Sequence, residues 1–213
     1  MSGPRRLPLA KTGRPLRLPP HARGMRIGLF GGSFNPPHAG HVHVSRLALL
    51  RLKLDRVWWL VSPGNPLKDN GHLRPLAERL ALARALIRDP RIVPTGIEAD
   101  IGTRYTLDTL RALRRRAPHL RFVWIMGADN LMQFDRWKGW QAIAAEVPIA
   151  VIDRPGATLG APAAPAARAL APFRVPERAA ASLCLRQPPA WVLLHGPRST
   201  LSSSAMRFPA RPA

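Results

Sequence analysis

The chain is poor in thiols, in acids and in lysine. A single cysteine, Cys184, in 213 residues leaves no intramolecular disulfide and no cysteine-built zinc site. The basic N-terminus lacks a continuous apolar h-region, so no secretory signal is expected and the cytoplasm is the default compartment. No apolar run approaches the ~18–20 residues of a membrane span. Twelve acidic residues stand against 33 Lys and Arg, and Lys11, Lys53, Lys68 and Lys138 are the only lysines. Neither common phosphate motif is present: there is no G-x-G-x-x-G and no G-x-x-x-x-G-K-[ST]. No Ser-His-Asp or Cys-His set is visible either.

The formal net charge of +21 invites a nucleic-acid reading. Arginine carries nearly all of it, among abundant Ala and Pro, which reads as a composition bias spread along the chain. No nucleic-acid partner is therefore expected, while anionic small molecules remain open as ligands. The length suits one domain with a sizeable core, and six tryptophans are foreign to a disordered chain.

Residues 1–24 carry six Lys/Arg, five prolines and no acid. They read as a disordered basic extension, with Met25 a candidate alternative translation start and 25–213 a single domain. From Met25 onward strands and helices alternate. RIGLF (26–30), VWWLV (57–61), Ile92-Val93, RFVWIM (121–126), PIAVI (148–152) and WVLL (191–194) read as strands. Helices are expected over 41–54, with Val44, Leu47, Ala48 and Leu50 on one side, and from Pro75, with Leu76, Leu80, Ala83 and Ile87 as its stripe. Further helices are expected over 106–116 and 137–145, and an Ala/Pro/Gly-rich loop over 156–172. This alternation predicts an α/β domain with a mostly parallel sheet of five to six strands and helices on both faces. Ligands in such sheets sit at the carboxyl ends of strands, which directs attention to 31–41, 62–68, 94–106, 127–137 and 195–207.

The first of these segments, GGSFNPPHAGH (31–41), joins paired glycines, a rigid Pro-Pro turn and two imidazoles where a helix begins. Unpaired amides and the helix dipole favour an anion there, and His38 and His41 add donors. From these residues alone phosphate, a metal (with His43 as a third ligand) and plain packing all remain open.

The H-x-G-H pattern preceded by GGSFNPP resembles the signature of nucleotidyltransferases that transfer adenylyl and cytidylyl groups. RYTLDTL (104–110), GADNLMQFDRW (127–137), DRPG (153–156) and LSSSAMR (201–207) follow in the order found in the nicotinate-nucleotide adenylyltransferase family. The resemblance spans about residues 26–207. It implies a Rossmann-like, doubly wound fold. It also implies transfer of AMP from ATP to nicotinic acid mononucleotide, giving deamido-NAD and pyrophosphate in NAD biosynthesis, with Mg²⁺ entering on ATP and held mainly by its phosphates rather than by the protein. The nucleophile is already an anion, so the chemistry asks for alignment and charge stabilisation rather than a base.

By the same resemblance, His38, His41 and Arg207 are the catalytic candidates, with His41 nearest the α-phosphate. Gly31, Gly32, Ser33 and Phe34 line the ATP loop, Gly127 and Asp129 reach the ribose, and Ser202 and Ser203 join Arg207 at the pyrophosphate end. Asn35, Lys68, Tyr105, Thr106 and Trp137 are implied at the mononucleotide, Trp137 stacking on the pyridine ring. Asn35 stands where many members carry Asp, and Arg104 replaces a small hydroxyl residue. The rivals are adenylyl transfer to nicotinamide mononucleotide or phosphopantetheine, a basic nucleic-acid binder on a retained nucleotide fold, and a metal-dependent hydrolase using His38 and His41. The residues do not fix the oligomeric state.

Overall fold

In the computed structural model, residues 17–64, 72–153 and 160–196 are described. Six strands form one sheet: β1 (Arg26–Gly32), β2 (Arg56–Val61), β3 (Ile92–Thr95), β4 (Arg121–Gly127), β5 (Ile149–Ile152) and β6 (Trp191–Leu194). Their order is β3-β2-β1-β4-β5-β6, and every neighbouring pair is parallel. This is the doubly wound arrangement, whose strand order reverses between β1 and β4. The expected fold class is the observed one.

Both faces of the sheet are covered. Successive side chains on a strand point to opposite faces, so Trp58 and Trp59, adjacent in β2 and both fully buried, anchor different cores. Trp58 packs with Leu110, Leu113, Phe122, Trp124 and Ile143 beneath α4 (Thr106–Arg116) and α6 (Trp140–Glu146). Trp59 packs with Phe30, Phe34, Val44 and Ala83 beneath α1 (Ala39–Arg51) and α2 (Leu76–Leu86). A sheet buried on both sides explains strands that read as apolar runs rather than as alternation.

Expectation and structure differ at helix ends and faces. α1 ends at Arg51, not Leu54, because Lys53 turns left-handed at φ 53°. Its buried side is Gly40, His41, Val44, Ser45, Ala48 and Leu49, while Leu50 is 64 % exposed. Contact with the sheet, rather than hydropathy, sets that face. On α2 the fully buried side chains are Ala83 and the charged Arg79; Leu76, Leu80 and Ile87 are half-buried against the core. The helix expected from Trp137 starts at Trp140, because Gly139 at φ 68° forms its N-cap. Two short helices were not foreseen, α3 (Ile97–Ile101) and α5 (Ala128–Leu131), and the Ala/Pro-rich segment contains a third, α7 (Pro165–Ala169).

The expected disordered extension runs too far. Leu18 packs on the core and Pro19 is buried. The His21 ring lies 5.6 Å from that of His119 and 6.2 Å from Trp58, and Gly24 donates its N–H to the His119 carbonyl at 3.0 Å. Residues 17–24 thus pack against the folded domain.

Candidate functional site

At the carboxyl end of β1, Phe30 is in register with Ile125 of β4, so Gly31 and Gly32 run beside the end of β4 at the point where strand order reverses. That is where a doubly wound sheet opens a crevice for a ligand. Gly31 leaves room for the Trp124 ring: a Cβ there would lie 2.5 Å from its Cη2. Phe34 holds the loop down. Its backbone is left-handed (φ 47°), a costly conformation for a bulky residue, while its ring is 1 % exposed and stacks on Trp59 at 4.7 Å. Phe34 therefore spends its side chain on the core.

His38 is the N-cap of α1 and His41 lies in its first turn. Their ring centroids are 3.8 Å apart and both residues are buried. His41 Nδ1 accepts the His38 backbone N–H at 3.2 Å. A neutral imidazole that accepts at Nδ1 carries its proton on Nε2, so His41 presents an Nε2–H donor. Its far side is braced as well: Trp59 Nε1 donates to Ser45 Oγ at 2.7 Å, and Ser45 Oγ donates to the His41 carbonyl at 2.9 Å. The packing reading posed by the sequence holds for both imidazoles, which are buried at this helix start. Among the described residues no group of three or more His, Cys, Asp or Glu is placed to hold a metal.

The clamp beneath this loop is a residue the sequence did not single out. Arg79 is 1 % exposed; its Nη1 donates to the Ser33 carbonyl at 2.7 Å and the Ser62 carbonyl at 2.8 Å, and its Nε to the Arg74 carbonyl at 2.8 Å. It ties the turn after β1 to the turn after β2. Asn35 adds a second tie, donating Nδ2–H to the His72 carbonyl at 2.9 Å and accepting the Arg74 N–H at 3.4 Å. A helix pattern reads Arg79 as a solvated cation; only the fold shows the carbonyls converging on it.

A second cluster forms around the start of α4. Tyr105 is its N-cap and Thr106 its first residue. Lys138 Nζ sits 4.4 Å above the Tyr105 ring, and a Cβ on Gly139 would touch Leu107 at 3.0 Å. Trp137, half-buried, meets Trp124 edge-on at 6.3 Å and Phe134 at 5.4 Å. Since Trp124 also crosses Gly31, the Trp137 segment is coupled to the first loop through one indole. Lys138 was also missed in sequence, where only its place beside Trp137 could have flagged it.

Asp129 is exposed in α5, directly after Gly127 at the end of β4. Lys68, Ser202, Ser203 and Arg207 lie outside the described residues. Cys184 is buried, which pushes its thiol up to about 11 and leaves it inert as a nucleophile. No helix among the described residues is long and apolar enough to cross a membrane.

Residues 29–208 match the family model described as cytidylyltransferase-like. A protein of Methylorubrum extorquens, named "Probable nicotinate-nucleotide adenylyltransferase", is 66 % identical over 183 residues, covering 86 % of this chain and 99 % of its own. A protein of the same name from a Bradyrhizobium species is 63 % identical over 185 residues, covering 87 % and 96 %. Among solved structures, nicotinic acid mononucleotide adenylyltransferase of Plasmodium falciparum, complexed with NaAD, superposes with a TM-score of 0.62 at 18 % identity, covering 86 % of this chain and 82 % of its own. That last likeness is one of fold. With a reversed-order parallel sheet, an H-x-G-H helix start at its crevice and relatives at this identity, the chain belongs to the cytidylyltransferase-like nucleotidyltransferases and, within them, to the nicotinate-nucleotide adenylyltransferase family.

Proposed function

We propose that this enzyme transfers the adenylyl group of ATP to nicotinic acid mononucleotide, forming deamido-NAD and releasing pyrophosphate. The observation that carries the reading is the pairing of two helix starts. α1 opens on two adjoining imidazoles, tilted against each other with centroids 3.8 Å apart, and α4 opens beside Tyr105, Lys138 and the Trp137 segment. The first suits a triphosphate and the second a charged aromatic ring.

In this mechanism a phosphate oxygen of the mononucleotide attacks the α-phosphorus in line, forming a P–O bond as the bond to the bridging oxygen breaks. Pyrophosphate leaves with the electron pair. The His41 Nε2–H and the first amides of α1 donate to the oxygens on which charge builds, and the Arg79 clamp keeps Gly31–Ser33 in place so that this donor set is preorganised. Residues 31–41 contain no carboxylate, so they suit anionic phosphates rather than a bare cation. When bound, Mg²⁺ would be held mainly by the ATP phosphates and would supply positive charge against the leaving pyrophosphate. Asp129 reaches the ribose from the end of β4. Thr106 and its neighbouring amides take the nicotinate carboxylate while Trp137 stacks on the pyridine ring. Ser202, Ser203 and Arg207 bind the pyrophosphate end and Lys68 the mononucleotide phosphate; for these four the family resemblance is the support. We take 25–213 as one nucleotidyltransferase domain on which 17–24 pack, working in the cytoplasm.

The test is pyrophosphate release with ATP and Mg²⁺, offering nicotinic acid mononucleotide, nicotinamide mononucleotide and phosphopantetheine in parallel. Turnover is expected with the acid mononucleotide, and fast turnover with either other acceptor instead would replace the substrate assignment.

A further inference from the structure

Glu98, on α3, is a buried carboxyl with no role in the chemistry above: it is 8 % exposed. It sits directly upstream of the turn that delivers Tyr105 and Thr106. Its carbonyl accepts the Thr103 N–H at 2.9 Å. Its Oε1 accepts the hydroxyl of Thr109, a residue wholly buried in α4, at 3.2 Å. The same Thr109 Oγ1 lies 3.3 Å from the Tyr105 carbonyl and 2.9 Å from Thr103 Oγ1.

A threonine hydroxyl has one proton; with Thr103 Oγ1 donating to Thr109 Oγ1, the Glu98 carboxylate and the Tyr105 carbonyl compete for it. When Glu98 is ionised it is an acceptor only and holds the Thr109 proton. When Glu98 is protonated, its own O–H can donate to Thr109 Oγ1, and the Thr109 proton turns to the Tyr105 carbonyl. That carbonyl shares its peptide group with the Thr106 N–H, the first amide of α4. A hydrogen bond accepted at the carbonyl polarises the peptide and strengthens the N–H as a donor. The neutral acid also removes a negative charge from the side of α4 where an anion would bind.

We propose that Glu98 is a positioning residue for the acceptor subsite, acting through Thr109 on the Tyr105–Thr106 peptide, so that a protonated Glu98 favours the acceptor's carboxylate and an ionised one opposes it. This rests on the placement of that carboxylate at the start of α4 made above. The elements packed on α3 are β2 and α4. β2 brings Trp58 and Leu60 to this core. The titratable groups around are Asp108 and Arg111 on α4, Arg104 and Tyr105 in the turn, Lys138 over the Tyr105 ring and Asp100 on α3 itself. Burial, opposed by the Thr109 hydroxyl, pushes the Glu98 carboxyl up to about 7. The proton state therefore changes within the working range of an ordinary enzyme.

The experiment compares KM for nicotinic acid mononucleotide between wild type and Glu98→Gln from pH 6 to pH 8.5, with KM for ATP as the internal reference. The substrate's phosphate titrates alike for both proteins, so the ratio of their KM values isolates Glu98. That ratio should rise about fivefold across the range, the worth of one net hydrogen bond, with a midpoint near 7 and no matching change in KM for ATP. Thr109→Val cuts the same relay without touching the carboxyl, and it decides the matter if Glu98→Gln is recovered unfolded: the wild-type to Thr109→Val KM ratio should climb from below one at pH 6 to about one at pH 8.5, and a flat ratio overturns the relay. A third variant tests the underlying placement. Thr106→Pro deletes the amide at the first helical position, where proline is tolerated, and Tyr105 before it is already extended (φ −111°, ψ 140°). If Thr106→Pro raises KM for the acceptor but the wild-type to Glu98→Gln ratio stays flat, the role of Glu98 is overturned and the subsite stands. If Thr106→Pro leaves that KM unchanged, the subsite assignment itself falls and this proposal falls with it.

Discussion

His41 Nδ1 accepts the backbone N–H of His38 at 3.2 Å, so one imidazole both closes the first turn of α1 and keeps its proton on Nε2. The two roles can be separated. In His41→Asn the short amide oxygen can still take the His38 N–H, but nothing reaches where Nε2–H was. We expect thermal stability close to wild type and a fall in kcat of about 10²–10³, the usual effect of removing one preorganised donor. His41→Ala should show the same fall in rate and lose about 1 kcal/mol of stability with the cap. Steady-state kinetics beside urea melts distinguish the two; an Asn variant with wild-type turnover refutes the donor role.

Arg79 holds three carbonyls from three segments. Arg79→Met fills much of the same volume but strands all three acceptors, so urea unfolding should show a loss of about 3 kcal/mol, the scale of breaking a buried charged network. KM for ATP should rise, because Ser33 is one of the residues released. Arg79→Lys recovers little, since a single ammonium cannot reproduce the planar fork.

At Gly31 the obstacle is the Trp124 ring, 2.5 Å from where a Cβ would sit. Gly31→Ala must push either the strand end or the indole, which should cost about 1–3 kcal/mol as overpacking. Because Trp124 also meets Trp137 edge-on, KM for the mononucleotide should move along with stability. A crystal structure of the variant would show the indole rotated.

Glu98 also makes stability depend on pH. Its carboxyl is raised from 4.5 to about 7 by burial, so the folded protein holds this proton more tightly than the unfolded chain. The stabilisation is fully present below pH 4.5 and is lost as pH rises through 7, on the order of 3 kcal/mol in all. Glu98→Gln, which has no proton to lose, should therefore gain stability relative to wild type between pH 5 and pH 8. Paired denaturant melts at those two pH values measure it, and a difference independent of pH would contradict the raised carboxyl.

Lys138 over Tyr105 bridges the two segments assigned to the acceptor. Lys138→Met should raise KM for the mononucleotide about threefold, the worth of an exposed cation–π contact, and leave KM for ATP unchanged.

The sequence by itself determined the strands and the chemistry of the first loop. Runs such as VWWLV and WVLL are apolar throughout because both faces of the sheet are covered, and no other local structure suits them. GGSFNPPHAGH combines residue types that few functions require together. α4 was readable to the residue because its start follows an extended Tyr105 and its face carries a strong period. The tertiary structure alone decided which residues hold that chemistry in place. Arg79 falls in a helix pattern and Glu98 in a segment where no helix was expected, and neither stood out, since pattern rules assume that charges face water. Arg79 is buried where carbonyls of the β1 and β2 turns converge on it, and Glu98 where α4 brings the Thr109 hydroxyl to it; such convergence leaves no trace in a helix pattern. The same holds for Leu50, apolar yet exposed while Ser45 and His41 are buried: the turn of α1 that faces the sheet was chosen by the Trp59–Ser45–His41 hydrogen bonds, not by hydropathy.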